Sequence, residues 1–342
     1  MDVAIGGCSY RLLNGRKIIS KQINYLENLN NDIFPNRDEY DKYSSIEIDG
    51  IKKSLIPISS SRGCPFACSF CSVSMLNSRW RARSVENVIK EINSIYQNDK
   101  NIAVVFIDDN FFVIPKRSLQ IMRFLKSKNI KFIFATRVDQ LIRAKATLKE
   151  IKDCGCISIE LGIENGSDSM LSRFNKKTVV ESNIEALRLC SLNNLTVSID
   201  FITFDNETSI EELKENVLFF KKSGLWGKYP IFFYNRVYPY EGTKYFNIIK
   251  DSNKYFIHTQ VELVYNKLMQ FGVSYQPILN RLYNILLCKN FKTIQEKIDF
   301  VLVKTLPYII FENLVLNSGK YDIDQYGNTI ELLKKRYIKE NE

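Results

Sequence analysis

The sequence predicts an α/β fold: a partial (β/α)6 TIM-type barrel with a short N-terminal β-hairpin extension and a helical C-terminal region. Three observations carry this expectation. From about Ser54 onward, apolar runs of strand length alternate six times with helix-like segments. The runs are continuously apolar, as parallel strands covered on both faces are. Six units fall short of the eight that close a full barrel, so the sheet should stay open.

Residues 1–50 form the extension, beginning with a short apolar strand, "DVAIGG". In "YRLLNGRKII" two apolar runs flank Asn14-Gly15, a pair suited to a two-residue hairpin turn. Residues 51–240 are the barrel core. "LIPIS" is its first strand and runs into a cysteine-rich loop. In "SVENVIKEINSIY" Val85, Val88, Ile89, Ile92, Ile95 and Tyr96 share one helical face behind a Ser84 N-cap. "IAVVFID" is the second strand, and Pro115 opens the helix after it. "KFIFAT" is the third, with a helix through Ile151 that stops near Gly155. "CISIELG" is the fourth; its helix starts at a capping box, Thr178 with Glu181. "TVSIDFITF" is the fifth, followed by a second capping box, Ser209 with Glu212, and a helix ending by Gly224. "PIFFYNRVY" is the sixth. Residues 241–342 read as mostly helical.

Of 342 residues, 48 are Lys or Arg and 38 Asp or Glu, a formal charge of +10. The lysines are spread along the chain rather than gathered in a block, so nucleic-acid binding is not expected. A basic surface of this kind can guide an acidic protein partner. No apolar run reaches membrane-span length and the N-terminus lacks a signal-peptide pattern, so no membrane is expected and a cytoplasmic location is. His258 is the only histidine, which excludes His-rich zinc sites and Ser-His or Cys-His catalysis.

"SRGCPFACSFCSV" places Cys64, Cys68 and Cys71 within eight positions. A structural zinc site wants four ligands, and no histidine is near to complete the set. A [4Fe–4S] cube held by three thiolates keeps one iron free to bind a small molecule. Gly63 and Pro65 shape the turn, and Phe66 and Phe70 can shield the site from water. Functional groups of such barrels gather at the C-terminal strand ends, where this loop lies.

Cys64-x-x-x-Cys68-x-x-Cys71, with an aromatic before the third cysteine, resembles the signature of the radical S-adenosylmethionine (radical SAM) superfamily. "RWRARSVENVIKEI", "FIDDNFF", "ATRVDQL", "IELGIENGSDSMLSRFNKKT" and "RVYPYEGTKYF" resemble, in order, segments of its cobalamin-dependent-type branch, over residues 50–245. The resemblance implies a [4Fe–4S] cluster on the three cysteines and SAM on the remaining iron. It implies reductive cleavage of SAM to methionine and a 5′-deoxyadenosyl radical that abstracts hydrogen from substrate. It places Phe70 near the adenine. Asp108 and Asp109 would either receive the SAM ammonium or cap the following turn. Arg137 would meet the SAM carboxylate or pair with Asp139. Glu160 and Glu164 would bind the ribose hydroxyls, with Glu164 preferred. Ile202 would pack on the adenine or in the core, and Arg236, Tyr238 and Tyr240 would face substrate.

Three departures shape the functional expectation. Only "MDVAIGG" resembles the end of a cobalamin-binding domain, so cobalamin is not expected from this chain alone. After the fifth strand, "ITFDNET" puts Thr203, Asp205 and Asn206 where relatives carry a Gly- and Pro-rich turn; Asp and Asn support tight turns themselves. Cys288 is the only cysteine after Cys190, too few for a second cluster. The leading expectation is a single-cluster enzyme acting on a small organic substrate, such as a nucleoside or sugar intermediate of specialised metabolism, with a flavodoxin- or ferredoxin-type electron donor. The alternatives are a cobalamin-dependent methyltransferase whose cobalamin domain is lost or separate, an RNA-modifying enzyme, and a non-catalytic iron–sulfur or zinc protein.

Overall fold

The computed structural model describes residues 9–11, 17–19, 26–31, 33–37, 44–76, 79–228, 233–252 and 255–338. Two short strands, β1 (Ser9–Arg11) and β2 (Lys17–Ile19), pair antiparallel with Ser9 opposite Ile19, as the arms of the expected hairpin. Its Asn14-Gly15 turn and the "DVAIGG" strand lie outside the described residues.

Strands β3 (Ser45–Ile48) and β4 (Ile51–Ile58) follow, then the short pair β5 (Ser61–Arg62) and β6 (Arg81–Ala82), which brackets the cysteine loop and helix α1 (Val73–Leu76). Next come α2 (Val85–Asn98), β7 (Ile102–Phe106), α3 (Pro115–Ser127), β8 (Lys131–Arg137), α4 (Val138–Arg143) and α5 (Leu148–Asp153). The core ends with β9 (Cys156–Glu164), α6 (Asp168–Arg173), α7 (Val180–Leu192), β10 (Val197–Phe201) and α8 (Ile210–Lys222). Among the described residues five further helices follow: α9 (Lys244–Ile249), α10 (Thr259–Ser274), α11 (Gln276–Leu287), α12 (Ile294–Leu316) and α13 (Gly327–Tyr337).

The main sheet has six strands in the order β10-β9-β8-β7-β4-β3. Five run parallel in the simple sequence of a curled half-barrel, and β3 closes the far edge antiparallel to β4. The α/β partial-barrel class therefore holds, with one change. The sixth parallel strand expected at "PIFFYNRVY" is, among the described residues, a single parallel bridge between Phe204 and Arg236. Past the end of β10 at Phe201, the amides of Thr203 and Phe204 donate to Asn235 O at 3.0 and 3.1 Å, and Val237 N donates back to Phe204 O at 2.9 Å; residues 230–232 of the expected strand lie outside the described residues.

Helix ends follow local chemistry. Ser84 Oγ accepts from Asn87 N, Pro115 opens α3, and Ser209 with Glu212 forms a complete capping box at α8. Gly155 (φ +99°) and Gly224 (φ +68°) take left-handed conformations just past α5 and α8. The box expected at Thr178 does not form. Helix α7 begins one residue later, and the free amide of Val180 donates instead to Asp168 Oδ1 at 2.7 Å. The single helix expected through Ile151 is split into α4 and α5 by a 3-10 turn at Lys145–Thr147.

The helix-facing sides of β7–β9 are mostly apolar, with Phe106, Phe132, Phe134, Ile159, Leu161 and Ile163 buried. The same core continues into the C-terminal helices: Phe233 stacks on Phe311 at 4.5 Å, and Tyr308 lies edge-on to Phe220 at 5.7 Å. The opposite, concave side of the sheet carries Val105, Ile133, Ala135, Glu160 and Asp200, which alternate with that core along each strand.

Candidate active site

The cysteine loop leaves the C-terminal end of β4 and is held there by the carboxylates that end β7. Asp108 accepts hydrogen bonds from the amide and hydroxyl of Ser60 and of Ser61, and Arg117 donates to Ser60 O at 2.7 Å. Asp109 Oδ2 accepts from Gly63 N at 2.9 Å, and Gly63 (φ +86°) turns the chain into Cys64. Burial pushes the Asp108 carboxyl up to about 6 against the opposing pull of the serine hydrogen bonds. Both aspartates of "FIDDNFF" thus position the loop that carries the thiols.

From its far side the loop is clamped by the segment after α6. Ser69 N donates to Phe174 O at 2.9 Å, Ser69 Oγ to Arg173 O at 2.9 Å, and Asn175 Nδ2 to Ala67 O at 2.6 Å. A turn between Cys68 O and Cys71 N, 3.2 Å, brings the last two cysteines together. Cys68 is buried and Cys64 and Cys71 are half-buried. Burial pushes the Cys64 and Cys71 thiols up, and each feels the repulsion of a Cys68 thiolate. Cys64 and Cys71 are thus harder to ionise than an ordinary cysteine, and metal binding would release their protons.

Among the described residues no three His, Cys, Asp or Glu side chains converge on a point where a single ion could sit. A cube spreads three thiolates over three separate irons. The residues present suit such a group: three soft sulfur donors on one braced loop, with nitrogen donors at two of the sulfurs. Arg137 Nη1 donates to Cys68 Sγ at 3.4 Å, and the fully buried Asn110 amide lies beside Cys64.

The structure gathers most of the sequence-predicted residues around this loop. Arg137, at the end of β8, pairs with Asp139 (2.9 Å), donates to Lys176 O, and lies 3.8 Å over the Phe66 ring. Phe70 packs edge-on to Phe174 at 5.2 Å, in the small apolar cluster that Ile202 also joins. Glu164 ends β9 in a left-handed conformation (φ +66°) that swings its carboxylate onto Lys176 Nζ, 2.6 Å away. Gly162 makes room for this pair, since a Cβ there would lie 2.9 Å from both Glu164 Oε1 and Lys176 Nζ. Glu160 is exposed on the concave face. Arg236 lies over the rings of Tyr255 (4.4 Å) and Tyr265 (5.4 Å), while Tyr238 and Tyr240 contact each other and are exposed.

The departure after β10 has a local explanation. Asp205 Oδ1 accepts from Glu207 N at 3.1 Å and Thr208 Oγ1 at 2.8 Å, making the turn that glycine and proline would otherwise make. Arg173 then ties this turn to α8 through Asp205 (2.8 Å) and Glu212 (2.5 Å).

Sequence reasoning missed Asp200, Lys176 and Asn110. Asp200 sits beside Gly162 across the β10–β9 ladder and hydrogen-bonds Glu160 within the trough. The walls of the half-barrel desolvate it, though one side stays open to solvent, and Glu164 and Glu160 repel its charge. Together they push its carboxyl up to about 7. Its only signal in the sequence is a charge inside an otherwise apolar strand.

Residues 58–220 match the family model described as the radical SAM superfamily. This segment is a radical SAM domain. The superfamily binds a [4Fe–4S] cluster and SAM, and the cysteine loop is where this domain would hold them. An uncharacterized methyltransferase of Pyrococcus horikoshii is 30% identical over 210 residues, 59% of this chain and 44% of its own length. The 4′-phospho-dehydrooxetanocin synthase of Priestia megaterium is 27% identical over 296 residues, 80% of this chain and 37% of its own length. The chain thus spans less than half the length of these curated relatives. Apo OxsB, a cobalamin-dependent S-adenosylmethionine radical enzyme, superposes with a TM-score of 0.73 over 96% of this chain and 55% of that chain, at 19% identity. The likeness to OxsB is one of fold, and extends beyond the radical SAM domain into the C-terminal helices. Among the described residues no helix is long and apolar enough to cross a membrane.

Proposed function

We propose that the chain is the radical SAM portion of an enzyme that cleaves SAM reductively and takes a hydrogen atom from a small organic substrate. When bound, the cluster and SAM supply the one-electron chemistry. The observation that carries this reading is the cysteine loop itself, three thiols braced by Asp108 and Asp109 at the mouth of the half-barrel. Phe70 and Ile202 offer an apolar surface for an adenine ring. The Lys176–Glu164 pair and the Glu160–Asp200 pair offer a charged wall facing hydroxyl or amino groups.

A nucleoside or sugar phosphate is the preferred substrate class. It is supported by the name of the Priestia relative, which aligns over 80% of this chain, and by carboxylates in the trough that suit hydroxyl donors. The basic surface favours an acidic electron donor of the flavodoxin or ferredoxin type, in the cytoplasm. Cobalamin-dependent methyl transfer is the second reading, supported at least as well by the methyltransferase named among the relatives and by the likeness to OxsB. On that reading the cobalamin would be held by a separate segment or chain.

The test is anaerobic turnover of the reconstituted protein with reductant, SAM and deuterated nucleoside phosphates, with and without hydroxocobalamin. Deuterium appearing in 5′-deoxyadenosine without cobalamin supports hydrogen abstraction. Methylated product that needs cobalamin supports the second reading, and no reductant-dependent 5′-deoxyadenosine or methylation overturns both.

A further inference from the structure

Two buried nitrogen donors face two different cysteines of the loop. Arg137 is buried at the end of β8, and its Nη1 lies 3.4 Å from Cys68 Sγ. Its orientation is fixed on three sides by Asp139, the Lys176 carbonyl and the Phe66 ring. Asn110 is fully buried, and its Oδ1 is taken by Thr136 Oγ1 at 3.3 Å. Its amide nitrogen finds no hydrogen-bond partner within the protein. A fully buried N–H left without an acceptor is unfavourable, so this orientation calls for one. The Cys64 sulfur is beside it. Asn110 directly follows Asp109, whose hydrogen bond to Gly63 fixes the distance between this strand end and the cysteine loop.

We propose that Asn110 and Arg137 are hydrogen-bond donors to the thiolates of a bound cluster, at Cys64 and Cys68 respectively, and that they raise its reduction potential. This rests on the cluster reading above. Reduction adds one electron to the cluster and its sulfurs. An N–H dipole or a guanidinium pointed at a thiolate stabilises the more negative form, so the donors make the cluster easier to reduce. The two residues come from different strand ends and act on different sulfurs of one cluster, so both should shift its potential in the same direction.

The experiment is a potentiometric EPR titration of the anaerobically reconstituted protein, with iron and sulfide content measured on each sample. Asn110→Leu keeps the volume and removes the donor. The expected result is a cluster loaded as in the unsubstituted protein but about tenfold harder to reduce, a midpoint about 59 mV lower for a one-electron couple. Arg137→Lys keeps a positive charge without the fixed fork and should lower the midpoint less. The double variant should show a lower midpoint than either single one. If Asn110→Leu does not take up iron, the near-isosteric Asn110→Asp serves in its place and should shift the midpoint further down. A loaded variant with an unchanged or higher midpoint overturns the inference while leaving the cluster reading intact. An unsubstituted protein that takes up no [4Fe–4S] cluster overturns both.

Discussion

Lys176 Nζ lies 2.6 Å from Glu164 Oε1, and both side chains are buried where β9 meets the loop after α6. The pair joins the strand end to the segment that clamps the cysteine loop, because Asn175 and Arg173 on either side of Phe174 hold Ala67 and Ser69. Removing one member leaves the other as an uncompensated buried charge, which costs about 3–5 kcal/mol. Lys176→Met should lower stability by about that much in denaturant titrations. The double variant Lys176→Met with Glu164→Leu should recover most of the loss. A double variant no more stable than the single one would contradict the pairing.

Gly166 is closed off from any side chain. A Cβ there would lie 2.5 Å from Phe219 Cβ and 2.9 Å from Asn216 Oδ1, and the Gly166 amide already donates to that oxygen at 2.7 Å. Helix α8 would have to move. Gly166→Ala should cost about 1–3 kcal/mol, as overpacked core sites do. An unchanged urea midpoint would show that α8 is not packed on this loop as described.

Asp200 gives the protein a pH dependence of definite sign. Its carboxyl is pushed up to about 7 from an ordinary value of 3.8, first by desolvation and then by Glu164 and Glu160. A folded state that holds a proton more tightly than the unfolded chain gains stability below the ordinary value and loses it as pH rises through the folded one. Stability should therefore decline between about pH 4 and pH 7, with Asp108 contributing in the same direction up to about 6. Asp200→Asn should flatten this slope without abolishing it. Denaturant midpoints taken across the range check the point, and parallel profiles for the two proteins would contradict it.

The formal charge of +10 bears on electron delivery. If an acidic flavodoxin-type donor is drawn to this surface, donor-dependent turnover should weaken as salt rises from about 0.05 to 0.5 M. Chemical reduction by dithionite should serve as the comparison. Equal salt dependence with both reductants would remove the charge argument.

The sequence made some features legible because they are local. Continuous apolar runs marked β4, β7, β8, β9 and β10, and Ser84, Pro115 and Ser209 marked helix starts, since their physics is settled within a few residues. The three cysteines were visible for the same reason. Thr178 misled because its helix start is capped by Asp168, twelve positions earlier in sequence. Of the sixth strand only Phe233 onward is described, and there it bridges Phe204 through Arg236. Asp200, Lys176 and Asn110 acquire their roles only through the register of β9 with β10 and the crossing of separate strand ends. No spacing rule along the chain carries that information.

The central claim is that Cys64, Cys68 and Cys71 hold a cube with one iron open to SAM. The most direct measurement is the EPR spectrum of the reduced, reconstituted protein before and after SAM is added. The account predicts a [4Fe–4S] signal whose g-values shift with SAM and which is lost on substituting any one of the three cysteines by Ala. A fully loaded cluster whose spectrum ignores SAM, or a protein that binds zinc and stays colourless, would contradict it.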